Sequence, residues 1–325
     1  MKETTVMDDI ANKRIEKLTN QGLDHLEAGR YSEAIQVAMK LEEAKGPLAF
    51  YIAAEVYASS KNFRDAVSTM RRGVLKRPTF WTNWFFLGIY LGQLNKYEEA
   101  LAAYEQALLC PQANADMIRL NMAFLSIACK DFQAALDYLD CLEQTSLRSG
   151  AEQARVAALE GVGRLAEAEA LAEVLLKERT EGDEEYQKRV GLVAAALARI
   201  RLQKGRSKEE VRSFLMHFLE EFGCSTPVLF EIVKLEELRY SAESKYYRLA
   251  IVAKLPMDHP WYREAQAYGI VYDVVSDSEE RALEMVKVFE SAAGVESVDV
   301  ASCKIRGDMP EEPMGVFWFS EKFFS

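Results

Sequence analysis

The sequence predicts a mostly α-helical chain, a solenoid of antiparallel helix pairs followed by a small α+β domain of order β-β-α-β-β. Three observations predict it. Up to about residue 243, apolar residues recur at i, i+3, i+4 and i+7, the signature of one buried helix face. Small residues hold fixed places in that pattern, and the whole pattern returns at a spacing of about 34 residues. From about Ser244 the period changes to two, on Val, Ile and Tyr, which indicates strands.

The clearest unit is WTNWFFLGIYLGQLNKYEEALAAYEQALLCP, residues 81–111. Trp84, Leu87, Gly88 and Leu91 share one face of a helix over 82–94. Asn95 and Lys96 break the pattern. Tyr97, Ala100, Leu101, Tyr104, Ala107 and Leu108 resume it on a second helix, which Pro111 closes. Helices joined by so short a break pack antiparallel. Gly88 and Ala100 are then close-contact points, and Trp84 and Tyr104 fill the space that these small residues leave.

The same template fits elsewhere. Upstream, Ala54, Tyr57, Phe63, Ala66, Met70, Gly73 and Pro78 take the corresponding places, and before them Leu18, Gly22, Tyr31, Ala34 and Ala38. Downstream come Met122, Ala123, Phe132, Ala135, Leu136, Leu139 and Leu142, then Leu165, Ala168, Ala172 and Leu175. The phrases GRYSEAI, KNFRDAV, NKYEEAL, KDFQAAL and GRLAEAE repeat one signal: a polar turn, an aromatic or Leu, two residues, then Ala. On these residues, 15 to about 182 resemble five tetratricopeptide repeats, preceded by a lead-in of residues 1–14. Leu91 stands where that family usually has Tyr, Pro111 comes one residue early, and the fifth unit lacks aromatic anchors. The resemblance implies stacked helix pairs whose first helices line a concave face, the surface on which the family holds peptides or helices.

Residues 183–243 read as degenerate helical hairpins that close the array, since a solenoid's last unit presents a polar outer face. EEYQKRVGLVAAALARIRLQKG is a longer helix and SKEEVRSFLMHFLEEFG its partner, with Ser207 and Glu210 forming a capping box. Pro227 suits the first turn of a further helix in TPVLFEIVKLEELRYSAES.

Residues 244–325 form the α+β domain. In YYRLAIVAKLP, Tyr247, Leu249, Ile251, Ala253 and Leu255 fall on one side of a strand. MDHPWYRE is a loop, and AQAYGIVYDVVSDS a second strand whose Asp277 caps a helix from Ser278 to Ala293, with Glu280 reaching back. Gly294 ends that helix. VESVDVASCKI and MGVFWFSEKFF are two more strands, separated by the turn-rich RGDMPEEP. No family is evident for this part, whose default reading is a docking or capping module.

The net charge of −11 argues against a nucleic-acid or anionic-membrane partner, which clustered Lys and Arg would serve. MKETTVMDDIANKRIEKL lacks the basic flank and apolar core of a signal peptide, and no apolar stretch approaches the ~18 residues of a membrane span. The odd number of cysteines, Cys110, Cys129, Cys141, Cys224 and Cys303, forms no CxxC pair and suits a reducing compartment, with buried free thiols. A cytoplasmic protein is expected.

Catalytic chemistry has little support. His25, His217 and His259 lie in separate segments, none with a metal-ligand partner at i+4. Asp258 and His259 could exchange a proton, but a turn residue beside Pro260 is the simpler role. No glycine-rich phosphate loop is present, so no cofactor is expected. Trp261, Tyr262, Trp318 and Phe319 read as core of a small domain before they read as a ligand cleft. GRLAEAEALAEVLLKE and KERTEGDEEYQKR read as charged helix surfaces, and Arg71, Arg72, Lys76 and Arg77 as a solvated stripe on an outer helix. Where carboxylate-clamping repeats project Lys and Asn, this chain has Tyr51, Glu55, Phe85 and Ile89, with Asn121 the one familiar polar residue.

Phe85, Phe86 and Ile89 are apolar beyond the packing stripe of their helix, as are Leu120, Phe124 and Ile127 in the next unit and Tyr51 in the previous one. A helix apolar on most sides is either enclosed or lines a binding surface. The expected site is therefore a groove of Tyr51, Glu55, Phe85, Phe86, Ile89, Leu120, Asn121, Phe124 and Ile127 that holds a peptide or amphipathic helix of another protein. An adaptor or chaperone fits this best. A peptide-responsive or autoinhibited sensor is the alternative, and an enzyme with its site in the α+β domain a third.

Overall fold

The helices come in pairs: α1 (Lys2–Glu27) with α2 (Tyr31–Glu43), α3 (Ala49–Ser59) with α4 (Phe63–Lys76), α5 (Trp81–Gln93) with α6 (Tyr97–Leu108), and α7 (Ala115–Ala128) with α8 (Phe132–Asp140). Next come α9 (Arg148–Gly161), α10 (Leu165–Lys177), α11 (Glu184–Gln203), α12 (Lys208–Phe222) and α13 (Thr226–Leu235). The computed structural model describes residues 2–143, 148–178, 184–263, 265–292 and 294–324, without the side chains of residues 2–10, 148–149 and 184–188. The expected repeat boundary at 182 and helix end at Ala293 lie outside the described residues. Of the expected lead-in, residues 1–14, the described residues 2–14 form the first turns of α1.

Each repeated phrase is the turn inside a pair. Its first residue, Gly29, Lys61, Asn95, Lys130 or Gly163, has a positive φ, and Gly205 repeats the device between α11 and α12. The amides close each turn in the same way. Asn95 donates to the Gly92 carbonyl at 2.9 Å and Lys96 to that of Leu91 at 3.0 Å, satisfying carbonyls that the helix end leaves open. Left-handed backbone crowds the Cβ of any L residue, so Lys61 and Lys130 are strained there. Lys130→Gly is expected to raise stability by about 0.5–1 kcal/mol, relief of strain outweighing the added freedom of the unfolded chain. Gly163→Lys should cost a similar amount, and equal denaturation midpoints for both variants and the parent would refute the account.

Residues up to Ala154 form one compact unit and those from Arg155 a second. In the first, the core runs through the expected positions: Ala54, Ala66, Met70, Leu87, Ala100, Tyr104 and Ala107 are buried together. Burial of these stripes removes apolar area from water and is the main stabilising term. The basic run on α4 bridges neighbouring second helices: Arg71 pairs with Glu99 at 2.6 Å, and Arg72 and Lys76 both reach Glu42. These pairs are half exposed and contribute little. Cys129 and Cys141, expected as buried thiols, are exposed, because each lies past the packed face at the C-terminal end of its helix.

In the second unit, helices and sheet share one core. β1 (Lys245–Lys254), β2 (Ala267–Ser276), β3 (Ser297–Asp308) and β4 (Gly315–Phe319) stand in the order β3-β1-β2-β4, and a short β5 (Phe323–Phe324) pairs with β2. All pairings are antiparallel. The period-two residues Tyr247, Leu249, Ile251 and Ala253 are buried, together with Tyr268, Ile270, Tyr272 and Val274 of β2. α14 (Glu279–Ala292) packs across the sheet through Ala282, Val286 and Phe289, while α13 lies against β4. Leu215, Leu229 and Ile232 of the closing helices belong to the same apolar cluster. The period change at Ser244 is therefore no linker: Ser244 is buried, and its carbonyl accepts from the Met309 amide at 2.8 Å.

Two caps bear on the sequence reading. Ser207 and Glu210 form the expected capping box on α12. At α14 the cap is Ser278, whose hydroxyl accepts from the Arg281 amide, and Asp277 instead holds the Arg281 side chain at 2.9 Å.

Candidate functional site

Within the first unit, the first helices of successive pairs touch one another, α3 against α5 and α5 against α7. Their shared surface holds the expected groove residues, but the residues do not stand alike. Phe85 is only 4% exposed, enclosed by Trp81 at 5.6 Å and Tyr104 at 5.9 Å between ring centres. Leu120, at 8%, is buried as well. Both face the core because α6 and the start of α9 cover the sides of their helices that sequence periodicity left open: Tyr104 lies on α6, and Gly150 comes close to Leu120. Neither is placed to contact a partner.

The others remain accessible. Tyr51 packs on Phe86 with ring centres 4.3 Å apart, and Phe86 continues to Tyr90 at 6.2 Å. The Tyr90 hydroxyl donates to the Glu55 carboxylate. Burial, and the negative charge of Glu55 beside them, push the Tyr51 and Tyr90 hydroxyls above the ordinary tyrosine range. Ile89 and Ile127 are half-buried, and Phe124 is 41% exposed. Asn121 spends its amide on the Met117 carbonyl of its own helix, at 2.9 Å. The structure thus brings Tyr51, Glu55 and Phe86 together at the surface, and beneath them it adds Tyr90, 2% exposed, which holds the Glu55 carboxylate and which sequence reading passed over. The available signal was its spacing, one turn beyond Phe86 on the same helix.

Solved structures share this arrangement of helices. A tetratricopeptide repeat protein from Parabacteroides merdae superposes with a TM-score of 0.55 over 69% of this chain and 86% of its own, at 14% identity. PilW, a type IV pilus biogenesis factor, gives 0.53 over 66% of this chain and 96% of its own, at 19% identity. The helical part has the tetratricopeptide fold. PilF from Pseudomonas aeruginosa agrees, with a TM-score of 0.52 over 70% of this chain and 98% of its own, at 15% identity. No protein-family model and no curated protein matches the chain. At these identities the likeness to tetratricopeptide proteins is one of fold.

Apart from the expected groove residues, the second unit holds a polar cluster that the sequence reading did not single out. Glu290 of α14 is buried, and the hydroxyls of Tyr268 and Tyr272 both donate to its carboxylate, the latter at 2.6 Å. Trp261 packs on Tyr268, and the Lys322 ammonium lies 4.5 Å from the Trp261 ring centre and 4.6 Å from that of Tyr268. Burial pulls the Lys322 pKa down, which the charges of Glu290 and Glu220 partly oppose. The common face of Tyr268 and Tyr272, four apart on one strand, was the only trace in the sequence.

His259 sits in the expected turn: its Nδ1 accepts from the Trp261 amide at 3.2 Å and its ring packs on that indole. Of the four aromatics expected in the core, Trp261, Tyr262 and Phe319 pack against it, whereas Trp318 is 40% exposed, with the Arg248 guanidinium 5.7 Å from its ring. Among the described residues, no group of three or more His, Cys, Asp or Glu is placed to hold a metal, and no helix is long and apolar enough to cross a membrane.

Proposed function

We propose that this is a cytoplasmic protein-interaction protein, an adaptor or chaperone that holds a peptide or amphipathic helix of another protein along the first helices of its tetratricopeptide array. The observation that supports it is the accessible aromatic surface on α3, α5 and α7, with Tyr51 packed on Phe86 and Phe124 half in solvent. Apolar side chains left open on a helix already packed on its other sides are what an apolar helix face can cover. The acidic balance of the chain goes against nucleic acid or an anionic membrane surface as the partner.

Mutation tests the reading. Phe124→Glu combined with Phe86→Ala should abolish capture of partners by the tagged protein, read by pull-down and mass spectrometry. A carboxylate forced into a desolvating interface without a pair costs several kcal/mol. Phe124 is exposed in the free protein, so its substitution should leave the denaturation midpoint within about 0.5 kcal/mol of the parent. Capture that survives both changes would place binding elsewhere, and a collapsed midpoint would make these aromatics structural.

A further inference from the structure

The helices α3 and α5 contain a single charged side chain, Glu55. It is set among aromatic rings: Tyr90 donates its hydroxyl to the carboxylate, and Phe86 lies between Tyr90 and Tyr51. Glu55 is half-buried, and no Lys, Arg or His among the described residues is paired with it. A carboxylate with one tyrosine donor retains the capacity to accept further hydrogen bonds. Aromatic faces beside it carry negative quadrupole density and attract cations within about 6 Å of the ring centre.

The chain contains the same chemistry a second time, with its cation in place. Around Glu290, tyrosine hydroxyls bind the carboxylate, Trp261 and Tyr268 offer ring faces, and the Lys322 ammonium lies over both rings. What such a set of groups accommodates is thus visible in this protein: an ammonium above the rings.

Resting on the groove reading given above, we propose that Glu55, held from beneath by the buried Tyr90 and flanked by Tyr51 and Phe86, is a cation anchor within the groove, and that the segment held there is a basic amphipathic peptide presenting a Lys or Arg beside its apolar residues. The apolar side chains cover Phe86, Ile89 and Phe124. The cation lies on the Tyr51–Phe86 rings and pairs with the free Glu55 oxygen. This is the opposite polarity to a groove that clamps a peptide carboxylate, and it fits the absence of Lys and Arg from α3 and α5.

The probes are short fluorescent amphipathic helical peptides of Leu and Gln, identical except for one central residue, Lys, Gln or Glu. Anisotropy titrations use the full chain. The Lys peptide should bind about tenfold more tightly than the Gln peptide, a ratio of the size that one partly desolvated cation contact supplies. Glu55→Gln, which keeps an acceptor for Tyr90, should bring these two affinities together, and Glu55→Lys should make the Glu peptide the preferred one. Equal binding of the Lys and Gln peptides by the parent protein would overturn the cation anchor while leaving the groove standing. Binding of none of the three would remove the groove reading and the anchor with it. A Lys preference that persists in a folded Glu55→Gln protein would also overturn the assignment, since another carboxylate would be responsible.

Discussion

Glu290→Leu is expected to destabilise the second unit by roughly 2–6 kcal/mol, because it strips the acceptor from two buried tyrosine hydroxyls at once and each such orphaned group costs about 1–3 kcal/mol. Tyr268 and Tyr272 both lie on the buried face of β2, where no water replaces the lost partner at low cost. Lys322 loses a neighbouring countercharge in the same step. Glu290→Gln, which retains one acceptor oxygen, should cost less than half as much. The triple change Glu290→Leu with Tyr268→Phe and Tyr272→Phe should recover most of the loss, since it leaves no tyrosine hydroxyl without an acceptor. Urea unfolding of the four proteins decides the matter. A Glu290→Leu midpoint equal to that of the parent would show that the cluster is not bonded as described.

Gly88→Ala should destabilise the first unit by about 1–3 kcal/mol, although alanine is the better helix former by about 1 kcal/mol. A Cβ at Gly88 would stand 2.6 Å from the Tyr104 ring, and three ring atoms lie within 2.9 Å. That ring is itself fixed between Phe85 and the helix that bears it, so the clash is relieved only by moving the helices apart. One turn along the same helix, Gly92 gives the internal comparison. A Cβ there meets Leu125 at 3.4 Å, an ordinary contact, so Gly92→Ala should be neutral or stabilising by up to about 1 kcal/mol. Opposite signs at two glycines of one helix are the expected result, and a common sign would mean that propensity, not the approach of α6, governs both.

Gly88 also shows what was legible beforehand. A small residue at a position that periodicity marks as buried has few explanations, and close approach of a second backbone is the main one. Asn95, Lys130 and their counterparts were equally readable as turns, because a polar break between two periodic runs leaves a helix end nowhere else to stop. The strand alternation of Tyr247, Leu249 and Ile251 was legible for the same reason. In each case the determining interactions lie within a few residues, or within one hairpin.

The candidate site was legible only in part. Phe85 and Phe86 are neighbours with the same side chain, and nothing local distinguishes them; α6 covers one, while the other turns toward Tyr51. Glu55 was legible as a groove residue, but its bond to Tyr90, a full repeat further along the chain, was not. The period change at Ser244 looked like a domain limit, yet Leu229, Ile232, Leu249 and Ile270 share one core. By itself the sequence determined the helix pairs, their turns and the strand faces, because these follow from the spacing of apolar, small and left-handed residues along a short stretch. Only the tertiary structure decided which aromatic is enclosed, which carboxylate meets a tyrosine and where the cores divide, because burial at each position is set by residues brought in from distant repeats.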